Sequence, residues 1–168
     1  NYQMPPGTAV GNATVIIANG NNVITTGSAR IVDVAPGLFT ADASGQGFPA
    51  ALAQRIRNNA TVSFERVAIF DAQQNRFAPV PIDLGPEGDQ VYLVLFGTGF
   101  RRRSALQAVT VKIGGADAMI NYAGPQLQLV GLDQINALIP RSLAGRGDVD
   151  IVVTVDGKMA NSVRVSIK

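Results

Sequence analysis

Valine and isoleucine alternate with polar residues in short runs, and turn residues separate these runs. The clearest case is the end of the chain, where residues 149–155 and 163–167 alternate on either side of Asp156 and Gly157. Apolar side chains at every second position place one face of a strand toward a core, and Asp-Gly favours the tight turn of a two-residue hairpin. The pattern therefore predicts a β-hairpin at the C-terminal end.

Similar patterns recur upstream. Residues 109–113 and 118–122 flank Gly114 and Gly115 and predict a second hairpin. The nearly continuous apolar run at residues 91–96 is typical of a central strand. Residues 134–139 predict a further strand that ends at Pro140. Short β-prone segments between 18 glycines and 9 prolines favour an antiparallel sandwich.

The middle of the chain carries weaker signals. Residues 62–70 and 77–82 predict a hairpin whose second arm, with prolines at positions 79 and 81, is an edge strand. Residues 49–58 have apolar side chains at helical spacing and predict a helix of one or two turns. Residues 36–59 as a whole are interpreted as a Gly/Pro-rich connector.

The opening 33 residues repeat a later segment of the same chain with about one gap. Matching positions occur in the same order in both copies: Asn1 and Asn136, Pro5 and Pro140, Asn19-Gly20 and Asp156-Gly157, and Ser28-Ala29-Arg30 and Ser162-Val163-Arg164. Duplication at a fixed spacing indicates tandem modules.

Five motifs resemble a known family. They are VAPGLFT (34–40), VYLVLFGTGF (91–100), VKIGG (111–115), YAGPQ (122–126) and GLDQINALIP (131–140). Their order is similar to that in the acidobacterial (Solibacter-type) extracellular C-terminal domain family. This resemblance implies immunoglobulin-like (Ig-like) sandwiches of the IPT/TIG type, an extracellular or cell-surface location and no known catalytic residues. The chain differs from the family in starting inside the first QINYQxP-like motif.

Together these patterns predict an all-β protein with an Ig-like antiparallel β-sandwich and a partial second Ig-like module at the N-terminus. The predicted organisation is a partial module at residues 1–35, a connector with a short helix at 36–59 and the sandwich at 60–168. The partial module consists of little more than a hairpin, and an isolated two-stranded hairpin is marginally stable in water.

The leading hairpin is therefore expected to pair with further strands. Its unpaired edges and apolar residues make Ala13, Val15, Ile17, Ala29 and Ile31 the candidate interaction residues. Two sources of strands are open: residues 62–70 and 77–82 of the same chain, or a neighbouring polypeptide that complements the sheet.

Composition narrows the function. The chain has no histidine and no cysteine, so the usual general base, thiolate nucleophile and zinc ligands are absent. We expect no enzymatic activity, no cofactor and no metal site. A net charge of +2 is too small for a nucleic-acid-binding surface. No apolar run reaches the roughly 20 residues of a membrane-spanning helix, so no membrane insertion is expected.

Arg101, Arg102 and Arg103 form the one run of like charges. A solvated loop is the simpler interpretation, but these guanidinium groups could also bind an acidic polysaccharide. The sequence thus favours an extracellular structural module that binds protein, by self-association or through neighbouring domains of a longer chain, and that assembles into filaments by strand complementation. A polysaccharide-binding appendage of a larger secreted protein is the alternative.

Overall fold

The computed structural model describes residues 3–5 and 7–168, and the described chain is all-β. It divides into two compact units, Asn1–Asp33 and Val34–Lys168. Strands are numbered in chain order: β1 (Gly11–Asn19), β2 (Asn22–Ile31), β3 (Gly37–Leu38), β4 (Ala51–Ile56), β5 (Val62–Arg66), β6 (Ala68–Asp71), β7 (Arg76–Pro79), β8 (Gln90–Thr98), β9 (Val109–Ile113), β10 (Ala116–Asp117), β11 (Met119–Pro125), β12 (Asp133–Leu138), β13 (Gly147–Val155), β14 (Lys158–Met159) and β15 (Val163–Ile167).

The first unit is an antiparallel hairpin of β1 and β2. Asn19 pairs with Asn22, so the connecting loop has two residues, and Gly20 takes the left-handed φ of +59° that glycine adopts without strain. The register shifts between Ile17 and Ala18, which marks a β-bulge. The predicted leading hairpin is therefore present as a two-stranded sheet.

The second unit contains two larger antiparallel sheets. The first has the strand order β11-β12-β8-β4-β5, with β3 also pairing with β8. The second has the order β10-β9-β13-β14, with β15 also pairing with β13. As predicted, Asp156 and Gly157 form the turn after β13, with φ values of +48° and +75°.

The two sheets contribute to one hydrophobic core, which gives the unit a sandwich-like arrangement. Leu93, Leu95 and Ile135 of the first sheet and Ile151 and Val153 of the second are inaccessible to solvent. These residues alternate with outward-facing neighbours, as the period of a strand requires. The last strand also receives the segment around Ile82, which forms a parallel bridge to Ile167.

The predicted helix at residues 49–58 is wrong, because Ala51–Ile56 is strand β4 and lies between β8 and β5. Ala53 lies opposite Leu93 in the core, and Leu52 lies opposite Val94 on the other face. Hydrogen bonding to strands on both sides outweighs the weak helical spacing of such a short segment. Residues 36–59 are therefore not only a connector, since they supply two strands of the first sheet.

Residues 62–70 and 77–82, one of the two sources of strands predicted for the leading hairpin, pair within the second unit. β5 is an edge strand that pairs with β4, and β6 and β7 pair with each other as a separate two-stranded sheet. The predicted single arm at 62–70 is two strands, interrupted at the buried residue Val67. Phe70 and Phe77 meet edge to face across the β6–β7 hairpin, with ring centres 5.4 Å apart.

Candidate interaction surfaces

One face of the leading hairpin carries the interaction residues predicted from the sequence. In the register of the hairpin, Ala13 lies opposite Ala29, Gly11 opposite Ile31 and Ile17 opposite Thr25. Residues opposite one another, and every second residue along each strand, share a face. The residues on this face include Ala13, Val15, Ile17, Ala29 and Ile31. Val15 is 43% exposed and Ile17 is 55% exposed, whereas Ala13 and Ala29 are half-buried and Ile31 is buried. The structure thus brings these five residues together, with the most exposed apolar surface toward the turn.

Further apolar side chains on this hairpin were not predicted as interaction residues. Ile16 lies between Val15 and Ile17 along β1, so it points to the opposite face, and it is 59% exposed. Val23 and Ile24 near the turn are also exposed. The signal was present in the sequence, because three consecutive β-branched residues leave apolar groups on both faces of a strand. Exposed apolar side chains therefore lie on both faces of this two-stranded sheet, and the face of Ile16 also carries the polar pairs Asn12–Arg30 and Thr14–Ser28.

The Arg101, Arg102 and Arg103 loop follows β8 and is held from within. The buried carboxylate of Asp133 accepts hydrogen bonds from the backbone N–H groups of Phe100 (2.9 Å) and Arg101 (3.2 Å). Its other oxygen accepts a hydrogen bond of 2.7 Å from Nε of Arg101. Nη2 of Arg101 also donates to the carbonyl of Leu132 at 3.1 Å. Arg101 therefore anchors the loop to β12 rather than extending into solvent.

The other two arginines of this loop differ in their surroundings. Arg102 is exposed, whereas Arg103 is half-buried and its guanidinium lies over Gly124 of β11. The next residue, Ser104, donates hydrogen bonds to Asp156 from its hydroxyl and its backbone N–H. These bonds, with smaller contributions from nearby Lys158 and Arg103, lower the pKa of Asp156. The loop is thus tied at two points, and Arg102 is the one exposed residue of the three arginines.

The second sheet of the larger unit has a polar outer face. Thr110 and Lys112 on β9 are exposed, as are Asp150 on β13 and Arg164 on β15. Lys112 pairs with Asp117 at 2.6 Å, and Arg164 lies 3.7 Å from Asp150. Polar and charged side chains of this kind are typical of the water-facing side of an antiparallel sheet.

The first sheet has a different outer face. Register places the following residues on its outward side, and we call them the outer apolar face: Leu52, Ile56, Val62, Phe64, Tyr92, Val94, Phe96, Met119, Tyr122 and Leu138. Phe64 is 60% exposed and Met119 is 59% exposed. On the five strands that build it, Arg66 is the one charged residue among those described that lies on this side. Val62 is also exposed, whereas Tyr92 (6%) and Val94 (3%) at the centre of the face are buried, so its exposed apolar side chains lie on the outer strands β5 and β11. Exposed apolar side chains of this kind are typical of a binding surface.

The charged residues near this sheet form structural contacts. Arg55 lies on the inner side of β4, where its Nε donates to Glu65 at 3.0 Å and its Nη1 lies 3.6 Å from Asp89. The hydrogen bond to Glu65 is the main cause of the raised pKa of Arg55. Arg141 donates to the carbonyls of Leu84, Gly85 and Asp89. The two arginines thus fix the segment between residues 83 and 89 against the sheet.

Groups with catalytic or metal-binding chemistry are sparse. The described residues contain no group of three or more acidic, histidine or cysteine side chains that could hold a metal ion. A groove of about 700 Å³ lies beside the loop at residues 45–48, and Asp150 and Arg164 are its charged residues. Within residues 3–5 and 7–168 there is no helix with the length and apolarity needed to span a bilayer.

Comparison of the chain with protein-family models, curated proteins and solved structures found no match. Of the candidate interaction surfaces, the leading hairpin and the outer apolar face stand out because each leaves apolar β-structure in contact with solvent.

Proposed function

We propose that this protein is a non-enzymatic, extracellular structural module that associates with other polypeptides through its leading hairpin and serves as a subunit of a surface assembly or filament. The observation that carries this proposal is the exposure of apolar side chains on both faces of the β1–β2 sheet. Two strands alone cannot bury such residues, and both strands are edge strands with one unpaired row of backbone groups each.

A protein partner fits these features best. Arg30 is the one charged residue between Gly11 and Ile31, so the hairpin offers little to a nucleic acid or to an anionic glycan. Added strands would satisfy the edge backbone groups, and apolar side chains of a partner would cover valine and isoleucine. This is the chemistry of strand complementation.

We infer that the larger unit is an Ig-like module. Two antiparallel sheets over a common core, and the parallel bridge between Ile82 and the last strand, support this assignment. The five sequence motifs that resemble the acidobacterial extracellular family support both the Ig-like fold and the location outside the cell. The polysaccharide-binding alternative has less support, because Arg101 is paired with Asp133.

The experiment is a measurement of assembly size against protein concentration by light scattering, with negative-stain imaging of any large species. We expect the wild-type protein to form dimers or longer assemblies. Replacing Ile17 by aspartate places a charge on the exposed hairpin face, and we expect association to weaken roughly tenfold or more, which corresponds to about 1.4 kcal/mol.

The matched control is Thr110→Asp, which adds the same charge to the polar outer face of the second sheet. Circular dichroism should show that both variants keep the wild-type fold, since both positions are exposed. A wild-type protein that stays monomeric at all concentrations would contradict the proposal, as would equal effects of the two substitutions.

A further inference from the structure

The outer apolar face is continuous across the first sheet. Paired positions form a row that crosses all five strands, in the order Phe64, Gln54, Tyr92, Leu138 and Met119. Four of these five side chains are apolar or aromatic. Because residues opposite one another in neighbouring strands share a face, the row is continuous, with Phe64 and Met119 exposed at its ends and Tyr92 buried at its centre.

The adjacent row has the same character. Leu52, Val94 and Tyr122 lie on the same side, with Asn136 between the last two. Tyr122 and Asn136 also line a recess of about 340 Å³, large enough to receive a side chain of the size of isoleucine. The outer apolar face therefore has exposed apolar side chains at its two ends, a buried centre at Tyr92 and Val94, and a depression beside Tyr122.

The apolar character of the outer side is a property of the first sheet and is not shared by the second sheet. Both sheets bury their inner faces in the same core, yet only the second has ion pairs such as Lys112–Asp117 on its outer face. An antiparallel sheet with a solvent-facing side normally carries polar residues there. The first sheet lacks this pattern, so its outer side is suited to contact with another apolar surface.

We propose that the outer apolar face of one copy receives the leading hairpin of a second copy. This inference rests on the proposed function, because it names the surface that accepts the hairpin. The same chain exposes two apolar β-surfaces of similar chemistry, each with a single charged residue, Arg30 on the hairpin and Arg66 on the face. Contact between them covers both surfaces with one kind of interface, whereas contact of each surface with its own copy would require two different kinds.

The dimensions agree with this arrangement. With a rise of about 3.4 Å per residue and a strand spacing of about 4.8 Å, a nine-residue hairpin face covers about 300 Å², and five strands span about 24 Å. One such contact removes on the order of 600 Å² in total, less than the roughly 1,200 Å² of the smallest specific interfaces. Two such contacts between the same two copies reach about 1,200 Å², so each copy is expected to donate its hairpin to its partner and to accept the partner's hairpin in return.

Such a contact joins two different patches. Head-to-tail contacts of this kind close into a dimer when the exchange is reciprocal and continue as a filament when it is not. The proposal therefore identifies the partner as a second copy of this chain and gives each copy a donor and an acceptor surface.

The absence of cysteine makes site-directed disulfide formation a direct test. Ile17→Cys labels the hairpin, and Met119→Cys and Phe64→Cys label the two ends of the row on the outer apolar face. Each is an exposed position, so the fold should tolerate the change. Thr110→Cys on the polar face measures disulfides that form by random collision.

The single-cysteine variants are mixed in pairs under mild oxidation and analysed by non-reducing electrophoresis and mass spectrometry. We expect Ile17→Cys to cross-link with Met119→Cys or with Phe64→Cys roughly tenfold faster than it cross-links with Thr110→Cys. The reason is that docking raises the effective concentration of the two thiols toward millimolar.

Three results would overturn this inference. Cross-links only between two Ile17→Cys chains would show a hairpin–hairpin contact and leave the proposed function intact. Cross-links only between two Met119→Cys chains would show that the face binds itself. An intrachain disulfide in the Ile17→Cys, Met119→Cys double variant at high dilution would show that the hairpin folds onto its own chain. A wild-type protein that remains monomeric by light scattering would instead remove the proposed function as well.

Discussion

Asp133 is the residue on which the loop after β8 depends. Its carboxylate is fully buried and accepts hydrogen bonds from two backbone N–H groups and from the guanidinium of Arg101. A buried carboxylate is tolerated only when it is paired and hydrogen-bonded in this way. Asp133 of β12 therefore holds the end of the loop that carries Phe100 into the core, while Asp156 holds the other end through Ser104.

We expect Asp133→Asn to lower the free energy of unfolding by about 3 kcal/mol, because it leaves Arg101 without its buried counter-charge and replaces an acceptor by a donor. Chemical denaturation followed by circular dichroism measures this. Asp117→Asn is the control, since it breaks the exposed pair with Lys112 and should cost less than about 1 kcal/mol. Equal losses in the two variants would contradict this role of Asp133.

The strand elements differ in how far their sequence predicted them. The C-terminal hairpin, which begins with β13, was predicted correctly because the alternation of its residues and its Asp-Gly turn are local signals. The strand β11 was predicted as the second arm of a hairpin after Gly114 and Gly115, but it pairs with β12 in the other sheet. A change of sheet depends on packing between distant segments, which the local pattern does not contain.

The same limit applies to the surfaces. The five interaction residues of the hairpin follow from alternation within one hairpin, and the structure places them on one face. The outer apolar face was missed because β4 was interpreted as a helix, which left β8 without one of its two neighbouring strands. The contact between Arg101 and Asp133 spans 32 residues, so the run of three arginines gave no sign of it.

The close approach between the end of β8 and the segment before β3 can be tested by substituting a glycine. Gly99, just after β8, has a φ of +82°, and a Cβ there would collide with the backbone of Ala35, whose N–H donates to the Gly99 carbonyl. We expect Gly99→Ala to cost about 3 kcal/mol, from left-handed strain together with overpacking.

Gly115 is the matched control, with a φ of +84° and open space where its Cβ would lie. We expect Gly115→Ala to cost about 1 kcal/mol, from strain alone. Thermal or chemical denaturation of the two variants gives the difference. If Gly99→Ala were no more destabilising than Gly115→Ala, the close approach of Ala35 would have no energetic role.

At the scale of the whole molecule, apolar surface dominates the proposed contacts. The hairpin and the outer apolar face each carry one charged residue. The alternative partner, an acidic polysaccharide, would instead bind through exposed arginines such as Arg102. These two modes respond differently to salt and temperature, since screening weakens charge pairs and cooling weakens apolar association.

We therefore expect self-association to be unchanged or strengthened when the salt concentration is raised from about 0.05 to about 0.5 M, over which the Debye length falls to a few ångströms. Association should also weaken on cooling from 25 to about 5 °C. Sedimentation velocity at each condition measures both effects. Dissociation by salt would indicate a charged interface and contradict the apolar contact proposed here.

The ion-paired outer face of the second sheet has a consequence for any sheet-like or fibrous array of these modules. That face stays hydrated because it carries two ion pairs, Lys112–Asp117 and Asp150–Arg164. It is therefore not expected to take part in the apolar contacts between subunits. Every subunit would then expose the outer face of its second sheet to solvent. The apolar contacts would lie inside the array, and its outer surface would be polar. A peptide or fluorophore fused near the β9–β10 turn would consequently decorate the outside of such an array without disturbing its construction.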